Sequence, residues 1–185
     1  GLKERENENR LQQVLDHYPV KLSGHVIGQS MVASGVADQY LPHVDELDGA
    51  GDEITFDGHF KKGVLEQMYE NRVVLLLDMR CPVYCRFCFR KHKSNRRQDP
   101  PGLDEVRSAI RHVEKSRFVR EILITGGEPV FNPGNLNAAI DGLCRISHVE
   151  TIRVATRSIL YYPDLFIKEG NGVLKQLMQM AETCR

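Results

Sequence analysis

Three short apolar runs mark the second part of the chain: VVLLL at Val73–Leu77, EILIT at Glu121–Thr125 and IRVAT at Ile152–Thr156. Runs of this length, rich in leucine and β-branched residues, predict buried parallel strands rather than helices. Between and after them the apolar positions return with helical spacing. That period predicts helices over Leu103–Lys115, with Asp104 and Glu105 in its first turn, over Asn135–Ile146 and over Val173–Thr183. Strand and helix therefore alternate in three βα units, the pattern of an α/β fold with a parallel sheet and helices outside it. In such sheets ligands collect at the carboxyl ends of the strands. The first part of the chain reads differently. Leu2–Asp16 has the pattern of an exposed helix. Tyr18–Gly63 is a long irregular stretch punctuated by Gly24, Gly28, Gly35, Pro42, Gly49, Gly51 and Gly58, a wrapping segment. The expected organisation is an amino-terminal segment over 1–71 and a βα region over 72–185.

With 185 residues, 41% hydrophobic and 27% charged, the chain can build one sizeable globular core. Twenty-five basic residues balance twenty-five acidic ones, so no net field steers it to nucleic acid or to a membrane surface. The basic run Arg86–Arg97 is local, suited to a small anion. No apolar segment approaches the roughly 20 residues of a membrane span. The opening GLKERENENR is too charged for a signal peptide, which leaves the cytoplasm as the expected address.

The cysteines change this picture. In CPVYCRFCFR, Cys81, Cys85 and Cys88 stand in the spacing C-x3-C-x2-C immediately after the first predicted strand. Cys144 and Cys184 lie far away, and an odd total of five argues against a secreted disulfide framework, so the thiols read as reduced. Thiolates bind zinc or iron–sulfur clusters, and closed sites normally use four protein ligands. Three from one loop favour a cubane cluster with one iron open. The alternatives are a Cys3His zinc site completed by His92, or cysteines buried at a strand end. Two further motifs follow predicted strands. GGEP, Gly126–Pro129, offers two glycines that admit a ligand close to the backbone and, in Glu128, an acceptor for an ammonium group. ATRS, Ala155–Ser158, places Thr156 and Arg157 at the end of the third strand.

The three-cysteine loop resembles that of the radical S-adenosyl-L-methionine (SAM) enzymes. The resemblance implies a partial radical SAM (βα) barrel, with a [4Fe-4S] cluster on Cys81, Cys85 and Cys88. SAM would chelate the open iron and be cleaved to a 5'-deoxyadenosyl radical. It further implies that Phe87 packs near adenine, that Gly126, Gly127 and Glu128 receive the methionine amino group, and that Thr156 or Arg157 reaches the ribose or carboxylate. Within the superfamily the chain is similar to the lysine 2,3-aminomutase family. The similarity runs through YPV at Tyr18, DQYLP at Asp38–Pro42, YENR before the first strand, SHVETIRVATR at Ser147–Arg157, and Pro163. That family implies pyridoxal phosphate (PLP), amino migration on a PLP-bound amino acid, and an electron donor such as flavodoxin or ferredoxin. Carried over residue by residue, Arg72 would contact PLP and Arg90 would hold the substrate carboxylate, each through its planar fork.

The departures bear on substrate and on PLP. Ile159 and Leu165 replace a proline and an arginine common in the family, and GGEP replaces GGD. No lysine here matches the one that anchors PLP; Lys91, Lys93 and Lys168 read as solvated. An open half-barrel leaves the third strand with a bare edge, so the expectation is the amino-terminal half of a larger enzyme, or a chain completed by a second chain or by a copy of itself. The readings left standing are an aminomutase-like radical SAM enzyme, a PLP-independent radical SAM enzyme acting on another small molecule, and a non-catalytic zinc or cluster-binding module.

Overall fold

A computed structural model of the chain describes residues 2–49, 59–88, 99–168 and 172–184. By contacts it divides into two interleaved units, Gly1–Phe56 with Pro82–Arg96, and Asp57–Cys81 with Arg97–Arg185. This differs from a single cut after residue 71. Cys81 stays with the sheet, Cys85 and Cys88 group with the amino-terminal segment, and residues just before the first predicted strand join the sheet.

The second unit is built on a five-stranded sheet with strands in chain order: β1 (His59–Lys62), β2 (Leu65–Tyr69), β3 (Arg72–Asp78), β4 (Glu121–Gly126) and β5 (Thr151–Val154). β3, β4 and β5 are the three expected parallel strands, with Arg72 opposite Glu121 and Glu121 opposite Thr151. β1 and β2 were not expected. They form an antiparallel hairpin, turning at Gly63 (φ 47°), that covers the other edge of β3. Gln67 and Met68 interrupt the alternation that would have revealed β2 in LEQMY.

Helix α4 (Leu103–Lys115) follows β3, and α5 (Pro133–Leu143) follows β4. α4 begins where the Glu105 carboxylate accepts from the Gly102 N–H at 3.0 Å, and Asp104 and Glu105 complement the positive end of the helix. It buries Val106, Ala109 and Val113, positions three and four apart on one face, while α5 buries Leu136, Ala139, Ile140 and Leu143. These meet Leu75, Leu77, Ile122 and Ile124 in the core. β4 alternates buried and half-buried positions, so its second face lacks the complete cover expected of a fully buried strand. After β5 come two single turns, α6 (Ser158–Tyr161) and α7 (Asp164–Ile167), and then α8 (Val173–Thr183). The C-caps of α5 and α8 are Cys144 and Cys184, joined in a disulfide with their Cα atoms 5.0 Å apart. This corrects the expectation of five reduced thiols. Helix packing brings two distant cysteines to a separation that a disulfide spans.

In the first unit, α1 (Leu2–His17) is exposed along most of its length and buries Val14. The stretch expected to be irregular contains α2 (Gly24–Ser30), capped by the Ser23 hydroxyl, then α3 (Ser34–Tyr40) and a 3-10 turn over Val44–Leu47. Gly24, Gly28 and Gly35 are helical rather than loop positions, Gly51 and Gly58 lie outside the described residues, and Val26, Tyr40 and Val83 are buried.

Candidate functional site

At the carboxyl end of β3, the Asp78 side chain is buried and accepts from the Arg80 N–H at 2.9 Å, Arg80 Nε at 3.0 Å and Arg80 Nη2 at 2.7 Å. Burial pushes its carboxyl pKa up. The Arg80 bonds, with a longer one from Asn132, outweigh burial and hold it below the usual aspartate range. Two asparagines finish the strand end: Asn132 caps α5, and buried Asn135 donates to the carbonyls of Leu77 at 3.2 Å and Pro101 at 2.9 Å. None of Asp78, Asn132 and Asn135 was singled out in the sequence. The only available signal was the pair of asparagines flanking Pro133-Gly134 at the start of a helix.

The glycine turn at the end of β4 closes directly onto this strand end. The Gly127 N–H donates to the Asp78 carbonyl, and the Glu128 N–H donates to the Arg80 carbonyl at 3.0 Å. Gly126 adopts φ 130°, and a Cβ there would collide with the Asp78 carbonyl oxygen; a Cβ at Gly127 would collide with that of Arg80. These glycines relieve crowding from the protein's own backbone at Asp78 and Arg80. The two N–H groups are committed to the last residue of β3 and to Arg80 just past it. The spare polar capacity lies in the Glu128 side chain, 2% exposed, whose Oε2 accepts from the Arg157 N–H at 3.0 Å and whose Oε1 has no partner among the described residues. A buried carboxylate oxygen without a donor is costly unless a cation or N–H group meets it. Glu128, Gly126, Gly127 and Arg157 are thus brought together. Thr156 serves the local turn, its Oγ1 accepting from the Ser158 N–H at 3.1 Å.

Cys81, Cys85 and Cys88 are half-buried and carry no disulfide. Cys85 and Cys88 lie on a turn closed by the Cys88 N–H to the Cys85 carbonyl at 3.2 Å. Among the described residues no three His, Cys, Asp or Glu side chains are gathered to hold a single metal ion. Phe87 exposes 58% of its surface. Arg86, between two of the cysteines, is buried, and nothing in the sequence singles it out. Phe89, Arg90, Lys91, His92 and Lys93 lie outside the described residues.

Arg72 stands apart from these groups. It opens β3, at the opposite end of the strand from Asp78, where Nε and Nη2 each lie 2.9 Å from the Glu121 carboxylate. The seven residues of β3 separate it from the glycine turn by roughly 20 Å at about 3.3 Å per residue. Lys168 is exposed and paired with Asp164. A cavity of about 360 Å³ between α5, α8 and β5 is lined by Ile140, Ile152, Val154, Leu177 and Met180 and includes no residue of the glycine turn. It lacks the converging polar groups of the strand ends. No helix is long and apolar enough to cross a membrane among the described residues.

A parallel sheet whose first parallel strand runs into a three-cysteine loop, and whose second ends in a glycine turn with an acidic side chain, defines an α/β chain of the partial-barrel, cofactor-binding kind. The chain belongs to the radical SAM superfamily: residues 79–177 match the family described as the Radical SAM superfamily. A [4Fe-4S] cluster and SAM are the cofactors this family implies. Its relatives include the L-lysine 2,3-aminomutase of Fusobacterium nucleatum subsp. nucleatum, 32% identical over 60% of this chain and 27% of that protein. The L-lysine 2,3-aminomutase of Methanococcus maripaludis is 29% identical over 58% of this chain and 25% of its own length. The glutamate 2,3-aminomutase of Clostridioides difficile is 24% identical over 71% and 31% respectively. The matched part thus spans about a quarter to a third of these relatives.

Proposed function

We propose that the chain carries the cluster- and SAM-binding part of a radical SAM enzyme that acts on an amino acid, with 2,3-amino migration as the reaction. The observation that carries the reading is the C-x3-C-x2-C run of residues 81–88 inside the region matched to the superfamily. Cys81, Cys85 and Cys88 would ligate three irons. When bound, the [4Fe-4S] cluster supplies the electron that cleaves the SAM carbon–sulfur bond to a 5'-deoxyadenosyl radical. The unpartnered Glu128 Oε1 fits an ammonium group and would receive the SAM amine, held in place by the Arg157 N–H on Oε2. Phe87 presents an exposed face on which an adenine can stack. Thr156 and Arg157 would stand beside the sugar or carboxylate.

PLP fits less well. Arg72, the residue proposed for it, is committed to Glu121 at the far end of β3, so no step is assigned to PLP here. The aminomutase reading rests on the shared motifs and on the similarity to the aminomutases, and Arg90 as carboxylate holder belongs with it. The test is anaerobic reconstitution with iron and sulfide, followed by reduction and SAM addition. About four irons per chain, a SAM-dependent change in the electron paramagnetic resonance of the reduced cluster and release of 5'-deoxyadenosine are expected. One tightly bound zinc in place of a cluster would overturn the reading. Supplying PLP and a panel of amino acids to the full-length enzyme then separates amino migration from SAM cleavage with another outcome, which would favour the PLP-independent alternative.

A further inference from the structure

Arg86 lies between Cys85 and Cys88, in a run where most arginines would face solvent, yet it is 6% exposed. Its fork grips Glu46, forty positions earlier: Nε lies 3.0 Å from Oε1, and Nη2 lies 2.8 Å from Oε2. The remaining donors reach main-chain carbonyls, with Nη1 3.2 Å from the Pro19 carbonyl and 3.4 Å from that of Tyr18. Glu46 is itself fixed, accepting from the His43 N–H at 3.0 Å in the 3-10 turn. The backbone of the loop is tied to the same segment. The Tyr84 N–H donates to the Lys21 carbonyl and the Arg86 N–H to the Gln39 carbonyl, each at 2.8 Å. A buried, bidentate arginine with its donors engaged is not a ligand-binding group. It is a fastening.

We propose that the Arg86–Glu46 pair clamps the cysteine loop onto the amino-terminal segment and fixes the Cys85–Cys88 turn before any cluster is bound, which makes Arg86 and Glu46 positioning residues for the cluster. The proposal rests on the cluster reading for its consequence, not for its geometry. A preset turn keeps thiolates from separating when the cluster opens or exchanges iron, since less chain freedom has to be removed at binding. It also gives residues 18–46 a role in a site to which they contribute no cysteine. Lysine at position 86 would retain the charge but lose the two-pronged geometry.

The test uses Glu46→Gln, Arg86→Met and Arg86→Lys in the full chain, with two readouts. In the cluster-free protein, hydrogen exchange at the Tyr84 and Arg86 amides should accelerate at least tenfold in Glu46→Gln and Arg86→Met, and less in Arg86→Lys, while the Ile122 and Ile124 amides stay within twofold. After anaerobic reconstitution, cluster loss to an iron chelator should accelerate at least fivefold, and the resonance of the reduced cluster should broaden. Exchange and cluster lifetime within twofold of the parent protein in both Glu46→Gln and Arg86→Met would overturn the clamp. Should Glu46→Gln fail to fold, Glu46→Asp, which keeps the charge but shortens the reach, is held to the same criteria. If the parent chain binds no cluster at all, the functional reading falls, and the exchange measurement alone decides the clamp.

Discussion

Replacing Gly126 by alanine should damage the protein before any ligand is added. Gly126 sits at φ 130°, and a Cβ built there lies 3.1 Å from the Asp78 carbonyl carbon and closer still to its oxygen. Alanine is costly in that backbone region, about 1–2 kcal/mol. Relief requires β4 to draw away from β3, which breaks the bonds from the Gly127 and Glu128 N–H groups to Asp78 and Arg80. Each such bond contributes about 1 kcal/mol, so the total is about 3–4 kcal/mol. At roughly 2–4 °C per kcal/mol for a chain of this size, the midpoint should fall by about 6–16 °C.

Urea and thermal denaturation of the ligand-free protein, followed by circular dichroism, measure this loss. Gly134→Ala is the control. Nothing lies within 4 Å of its Cβ position in the first turn of α5, so alanine there should be neutral or stabilise by up to about 1 kcal/mol. Gly126→Ala within about 0.5 kcal/mol of the parent, with only SAM binding lost, would refute the backbone argument and return the glycine to a ligand-clearance role.

Arg80→Met should flatten the acid response. The depressed Asp78 pKa gives stability that is complete above its unfolded value of about 3.9 and is lost as pH falls through the lower folded value. Without Arg80, burial acts with less opposition, the folded pKa rises, and urea stability between pH 7 and 3 should start lower and fall less; superimposable acid limbs would count against it. Asn135→Ala should cost about 1–3 kcal/mol by denaturation, because the Leu77 and Pro101 carbonyls lose their buried donor, and a loss under about 0.5 kcal/mol would show that water replaces it. Cys184→Ala removes a cross-link between residues 40 apart, worth up to about 4 kcal/mol by loop closure. Equal stability of this variant and the oxidised parent would mean that the bond does not form in solution.

The core of the second unit was readable because its signals are local. Each of VVLLL, EILIT and IRVAT declares a strand in a handful of residues, although β5 buries none of its own and exposes Arg153, and helices α4 and α8 came out over the same residues as their apolar periods. What the sequence hid depends on partners far apart in the chain. β2 is half polar, and it is a strand because β3 offers it an edge. Cys144 and Cys184 look unrelated until two helices end side by side. Arg86 reads as one more basic residue in a basic run, because Glu46, Tyr18 and Pro19 all come from the other end of the first unit. For the candidate site the motif locations were legible and the reasons for them were not. GGEP reads as clearance for a ligand, and its glycines also answer to the Asp78 and Arg80 backbone, partners the motif does not announce. The resemblance that linked Arg72 to PLP said nothing about Glu121, which pairs with it across two parallel strands.

Glu128 brings stability and function into conflict, and Glu128→Gln measures that conflict. The carboxylate is 2% exposed, with one oxygen satisfied by the Arg157 N–H and the other unmatched. Burying a charged oxygen without a donor is unfavourable, and an amide of the same shape carries less of that penalty while its oxygen can still accept from Arg157. The ligand-free variant should therefore be as stable as the parent or more so. An ammonium ligand feels the opposite. It loses a charge-assisted bond worth about 1.5–3 kcal/mol and meets an amide in place of an acceptor, so SAM affinity in the reconstituted protein should fall by about 10- to 150-fold. Calorimetry or the SAM-dependent change in the cluster spectrum reads the affinity, and urea denaturation reads the stability. Unchanged SAM binding would remove Glu128 from the ligand site. A loss of more than about 1 kcal/mol in the ligand-free protein would instead mean that its charge holds the ends of β4 and β5 together, leaving no spare oxygen for a cation.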